Sequence, residues 1–273
     1  MTHLFLTSSP FSEPGKPLNE SNAFVRRLRE CLPDKLRALM ITSDPDDPEL
    51  TQGFSDAIRY TMELTGFVFG DYTILDGRNK EQAKELVGTS DLIILAGGHV
   101  PTQNRFFTEI GLRELMADFD GTVLGVSAGS MNSADVVYAQ PEEEGEAADP
   151  TFKKFLRGLG LTKTMLIPHY QDTKDNILDG KRIFEDVTYP DSIGREFIAI
   201  CDGSYLYSDG ANEMICGEAY LIKDGSLVKL CGNGKKSFHD KNTLTLRLSD
   251  LKRKPKLHHQ VLTRTDGGVL WYI

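Results

Sequence analysis

Short apolar runs alternate with amphipathic stretches over the first two-thirds of the chain. Residues 4–7, 36–42, 71–75, 91–96 and 122–126 are dominated by Leu, Ile, Val and Thr and are too short for helices, so they predict five strands, the last two fully buried. Between them, 21–32, 48–65, 80–87 and 103–118 carry apolar residues near helical spacing, with Asn19 or Ser21 as a cap for the first. This alternation predicts a three-layer α/β fold, a mostly parallel, doubly wound sheet with helices on both faces. A helix over 152–159, a strand over 164–168 ending at His169, and a helix over 176–187 extend the pattern.

From Phe197 the pattern changes. Apolar runs at 197–201, 204–208, 214–216, 219–222 and 227–231 are separated by turns, among them Asp202-Gly203, Asp209-Gly210 and Asp224-Gly225. They predict antiparallel hairpins at the sheet edge. A polar, basic stretch at 249–256 and an apolar strand at 269–272 close the chain. No repeat or low-complexity linker divides it. The expectation is one hydrolytic α/β domain, with 1–196 as its parallel core and 197–273 as a hairpin-rich C-terminal part.

Composition narrows the function classes. A formal net charge of −9 argues against non-specific binding to nucleic acid or to an anionic membrane. The first nine residues have no basic segment and only a three-residue apolar stretch, which fits neither a signal peptide nor a membrane span. Cys31, Cys201, Cys216 and Cys231 are far apart and form no C-x-x-C pair. Free thiols and a cytoplasmic protein are expected. No H-x-x-x-H, H-E-x-x-H or Cys/His cluster offers a metal site, and no phosphate or dinucleotide loop follows a strand. No cofactor is therefore expected.

The chemistry concentrates after the strand at 122–126. Gly125, Ser127 and Gly129 form a G-x-S-x-G pattern where that strand must turn into a helix. Such an elbow lifts the serine hydroxyl off the sheet edge and aims the next backbone N–H at the same point. The pattern recurs by chance, and the buried strand before it is what gives it weight. A serine needs a base, and the base needs an orienting group. Of six histidines, His3 opens a strand, His99 follows the Gly97-Gly98 turn, and His239, His258 and His259 lie in the polar C-terminal part. His169 ends an apolar strand. Successive strands of one parallel sheet would bring it to the same edge as Ser127. For the acid, Glu142, Glu143, Glu144 and Glu146 crowd one loop, and Asp172 and Asp135 compete. Ala128 N–H and Gly98 N–H could converge as an oxyanion hole.

Together, Ala96-Gly97-Gly98, the elbow Gly125–Ser130 and Ile167-Pro-His-Tyr170 resemble peptidase E, a group of serine peptidases that includes cyanophycinase. The resemblance runs from about residue 36 to 232. It implies a fold similar to class I glutamine amidotransferases, with serine replacing their cysteine. It also implies Ser127 as nucleophile, His169 as general base, Glu142 as third member, and Gly98 with Ala128 as oxyanion hole. The expected partner is a small peptide, with N-terminal aspartate the preferred residue in peptidase E itself, and the expected oligomer is a homodimer. A carboxylate reader is then needed, and Arg182, beside Lys174 and Lys181, sits near the place where the family pattern has an arginine; Arg105 and Arg195 compete. His99, where the family has asparagine, and Gln103 are assigned to substrate binding. The longer C-terminal part is a second departure. Two rival readings share the elbow: an esterase-type hydrolase whose base would be His239, His258 or His259, and a non-catalytic binding protein.

Overall fold

The computed structural model describes residues 2–13 and 15–232, and the backbone of 236–239. Its core is the alternation predicted. In chain order come β1 (His3–Thr7), α1 (Phe24–Glu30), β2 (Leu36–Ile41), α2 (Pro48–Leu64), β3 (Phe69–Leu75), α3 (Ala83–Thr89), β4 (Leu92–Leu95), α4 (Val100–Glu109), α5 (Leu112–Met116), β5 (Thr122–Val126) and α6 (Ala128–Asn132). The five strands are parallel in the order β3-β2-β4-β5-β1. Their side chains alternate between two buried clusters, as a period of two requires. Leu39, Ile41, Ile93, Leu95 and Val123 face α3, α4 and α5, while Ala38, Met40, Ile94, Leu124 and Val126 face α1 and α2. That places a helical layer on each face.

The single helix expected over 103–118 is two. Gly111, at φ +63°, breaks it between α4 and α5.

Beyond the elbow the chain departs further from expectation. The stretch 152–159 is no helix: β7 (Phe155–Arg157) pairs antiparallel with β6 (Val136–Tyr138), with Val137 opposite Leu156. Gly158 fixes this. A Cβ there would lie 2.1 Å from the Ala134 carbonyl oxygen, so only glycine lets the strand lie against the end of the elbow helix. The stretch 176–187 is also no helix. Asp179 and Gly180, both at positive φ, close a two-residue turn between β9 (Ile177–Leu178) and β10 (Lys181–Arg182), and a π-helical turn, Ile183–Thr188, follows.

The C-terminal strands are antiparallel but divide between two sheets. β12 (Tyr205–Ser208), β13 (Glu213–Cys216) and β16 (Lys236–His239) extend the central sheet from β1. β11 (Glu196–Ile200), β14 (Ala219–Lys223) and β15 (Ser226–Cys231) form a second sheet with β8 (Met165–Ile167). This sheet places Leu166, Ile198, Ile200 and Leu221 in the same cluster as Leu4, Leu6 and Val123. The strand expected at 269–272 and the basic stretch 249–256 lie outside the described residues.

Gly158→Ala tests the β6–β7 arrangement. The added methyl has no room against backbone and should cost about 1–3 kcal/mol or more, read as a lower urea midpoint. Unchanged stability would show that β7 can move away from Ala134 freely.

Candidate active site

Ser127 stands between the end of β5 and the start of α6 with φ +48° and ψ −108°, a conformation that non-glycine residues rarely adopt. The flanking glycines make the turn sterically feasible. A Cβ at Gly129 would lie 2.3 Å from the Leu95 carbonyl oxygen, and one at Gly125 would lie 2.9 Å from Ser130 Oγ. Hydrogen bonds hold the turn from both sides. Ser127 N–H donates toward the Thr7 and Ser8 carbonyls, Gly129 N–H donates to Ala96, and Ser130 Oγ–H donates to the Thr7 carbonyl at 2.7 Å. The elbow is thus clamped between the ends of β1 and β4.

His169 follows β8 and also has positive φ, +55°. Contrary to the expectation of one shared sheet edge, it arrives from the second sheet, packed across the first. Its Nε2 lies 2.9 Å from Ser127 Oγ, and its Nδ1 lies 2.8 Å from Asp202 Oδ1. Asp202 follows β11, the parallel neighbour of β8, so adjacent strand ends deliver the base and its carboxylate together. Burial opposes ionisation of Asp202. Hydrogen bonds from His169 and from Ser8 Oγ (2.6 Å) outweigh it and hold the carboxyl below its ordinary value.

Ser8 was not singled out by sequence, yet it joins these parts. Fully buried after β1, it donates to Asp202 and accepts the His169 backbone N–H at 2.7 Å, while its own carbonyl accepts Ser127 N–H at 3.1 Å. One residue thus touches nucleophile, base and acid.

Glu142, expected to orient His169, is elsewhere. Its Oε1 accepts the Val100 N–H at the start of α4, at 3.1 Å, because its loop folds onto the turn after β4 rather than toward β8. Its side chain is exposed and lines the cleft, while the protein atoms packed around its carboxyl push it up from the ordinary value. Glu146 pairs with His99 Nε2 at 2.8 Å and accepts the backbone N–H groups of Glu142 and Glu143. Glu143 and Glu144 are exposed. Asp172 accepts from Gln171, and Asp135 pairs with Arg113.

The expected substrate readers also separate from the cleft. Gln103 is fully buried: its Nε2 donates to the Ala96 carbonyl at 2.7 Å and its Oε1 accepts from Asn132, so it braces the turn. His99 is engaged at both ring nitrogens, by Thr102 and Glu146. Arg182 lies on the exposed hairpin in a two-point pair with Asp186. Arg105 is exposed and Arg195 lies over the Phe155 ring. His3 contacts the Tyr207 hydroxyl, His239 stands on β16, and His258 and His259 lie outside the described residues.

Among the described residues, Gly98 N–H and Ala128 N–H have no protein acceptor. Gly98, at φ +141°, leaves no room for a side chain, since a Cβ would meet Ser43 Oγ at 2.3 Å. Gly97 packs beside Ser127. For metal, the described residues offer one group, His99, Glu143 and Glu146, whose donor atoms lie within 4.8 Å of one another; His99 and Glu146 already satisfy each other.

A serine on a strained elbow, hydrogen-bonded in series to a histidine and a carboxylate beside free N–H donors, is the arrangement of a serine hydrolase. The model of peptidase family S51 matches residues 71–216, more than half of the sequence, and the chain belongs to that family. It is a peptidase. A peptidase from an acI-B1 Actinobacterium superposes with a TM-score of 0.63 at 17% identity, covering 88% of this chain and 97% of that one. A putative peptidase E protein from Listeria monocytogenes EGD-e gives 0.48 at 16% identity, covering 84% and 98%. At 17% identity the first likeness speaks to fold alone. No curated protein matches the sequence.

Two variants separate positioning from substrate contact. Ser8→Ala should lower kcat at least tenfold with little change in KM, because it frees base and acid without touching substrate; a change confined to KM would contradict this. Gln103→Ala should instead lower stability by about 1–3 kcal/mol, because the Ala96 carbonyl and the Asn132 amide each lose a buried partner. A raised KM with unchanged stability would return Gln103 to substrate binding.

Proposed function

We propose that the chain is a serine peptidase that cleaves short peptides through an acyl-enzyme on Ser127. The observation that carries this reading is the continuous series Ser127 Oγ, His169, Asp202, at 2.9 and 2.8 Å. As Ser127 Oγ attacks the scissile carbonyl carbon, His169 Nε2 takes its proton. Asp202 keeps the Nδ1–H tautomer and stabilises the imidazolium. The oxygen that gains charge is received by the N–H groups of Gly98 and Ala128. When the C–N bond breaks, His169 returns the proton to the leaving amine, and water then repeats the sequence on the ester.

The cleft beside Ser127 holds about 160 Å³, small against the roughly 300–1,000 Å³ of drug-sized pockets, which supports short peptides over a polymer. An aspartyl preference finds no such support. Among the described residues no Lys or Arg lines the cleft, and Arg182 lies outside its lining, paired with Asp186 on the exposed hairpin.

Ser127→Ala should lower kcat by roughly 10⁴ to 10⁶, and a fluorophosphonate should label the wild type at Ser127 alone. A variant that keeps a tenth of wild-type turnover would remove Ser127 as nucleophile. A wild type that resists labelling and cleaves no peptide in a dipeptide library would favour a binding protein on the same fold.

A further inference from the structure

The wall of the cleft has an unusual composition. Met131, Ile167, Leu178 and Ile183 supply apolar surface, Ile177, on the β9–β10 hairpin, stays 68% exposed at its edge, and Gln140, Thr173 and Asn176 add neutral polar groups. Apart from His169, Glu142 is the one charged residue among the described lining. Its Oε1 is held by Val100 N–H, whereas Oε2 has no partner among the described residues. Glu142 lines the cleft from an exposed position, so its second oxygen is open to a donor or a cation that enters.

Its position is also held from several sides. Glu146 grips the backbone of 142 and 143 and is itself paired with His99. Farther along the loop, Asp179 accepts the N–H groups of Gly145, Ala147 and Ala148, and Lys181 Nζ donates to the Ala147 carbonyl at 2.6 Å. The hairpin that brings Ile177 and Leu178 to the cleft is therefore bound to the loop that brings Glu142. Apolar wall and carboxylate are presented as one unit.

We infer that Glu142 receives the α-ammonium group of a peptide's N-terminal residue, and that the apolar wall receives that residue's uncharged, apolar side chain. The substrate class is then short peptides with a free, apolar N-terminal residue, cut after that residue. An aspartyl side chain entering the same space would meet Glu142 and no cation. This inference rests on the peptidase reading of Ser127 and deepens it. A cationic nitrogen could also come from a lysine side chain, and the test separates the two sources.

Wild-type protein is first labelled with a fluorophosphonate, which reports Ser127 reactivity without needing any amine. Absence of labelling would fault the peptidase reading itself. With labelling established, kcat/KM is compared for Leu-Ala, N-acetyl-Leu-Ala, Asp-Ala and N-acetyl-Lys-Ala. Leu-Ala should exceed N-acetyl-Leu-Ala by roughly 10- to 100-fold, the usual worth of a charge-assisted hydrogen bond, and should exceed Asp-Ala by about tenfold or more, because the aspartyl carboxylate meets Glu142 and an apolar wall. Glu142→Gln should reduce the ratio of Leu-Ala to N-acetyl-Leu-Ala to near one, a selectivity change that misfolding would not produce. Equal rates for free and acetylated peptide, a preference for Asp-Ala, or selective cleavage of N-acetyl-Lys-Ala over N-acetyl-Leu-Ala would each overturn the inference.

Discussion

The backbone at Ser127 sets the terms for everything around it. A non-glycine residue at positive φ costs of order 1–3 kcal/mol and persists only where its surroundings leave no alternative. Here the surroundings are the ends of β1 and β4, which receive the N–H groups of Ser127 and Gly129, and the Leu95 carbonyl, which Gly129 alone can approach. Opening the turn would break these bonds. The same compression that fixes the hydroxyl leaves Ala128 N–H without an acceptor, so strain and chemistry share one origin.

The second requirement is that a base reach this hydroxyl from a different sheet. β8 and β11 run parallel, and the residues just beyond them, His169 and Asp202, meet side by side. Ser8, at the end of β1, binds both and also receives Ser127 N–H. The two sheets are therefore registered by hydrogen bonds as well as by the apolar contacts of Leu166 and Ile198 with Leu4, Leu6 and Val123. Around this centre, the loop carrying Glu142 and the β9–β10 hairpin form a braced rim that gives the cleft its shape.

The parallel core is legible in the sequence because β1, β2, β4 and β5 are buried almost throughout and read as plain apolar runs, while the edge strand β3 is poorer in apolar residues and partly exposed. The elbow was legible for a related reason: its two glycines mark close backbone approaches that no other residue permits. What could not be read lay in tertiary pairing. The stretch 152–159 has apolar residues near helical spacing, and Gly158 was the signal that it lies against another backbone. In 176–187, Asp179-Gly180 carried the same hairpin signature that identified the later turns. Asp202 is hidden in the same way, since Asp202-Gly203 reads as turn punctuation while its side chain also stands at a strand end. The glutamates of 142–146 drew attention by number, but their loop folds onto α4, away from β8.

The central claim is that Asp202, rather than Glu142, orients His169. Steady-state kcat of Asp202→Asn on the best peptide tests it most directly. An amide at this position stabilises the wrong imidazole tautomer while keeping the shape of the site, and loss on the order of 10⁴ is predicted. Turnover within tenfold of wild type, in a variant of unchanged stability, would contradict the account.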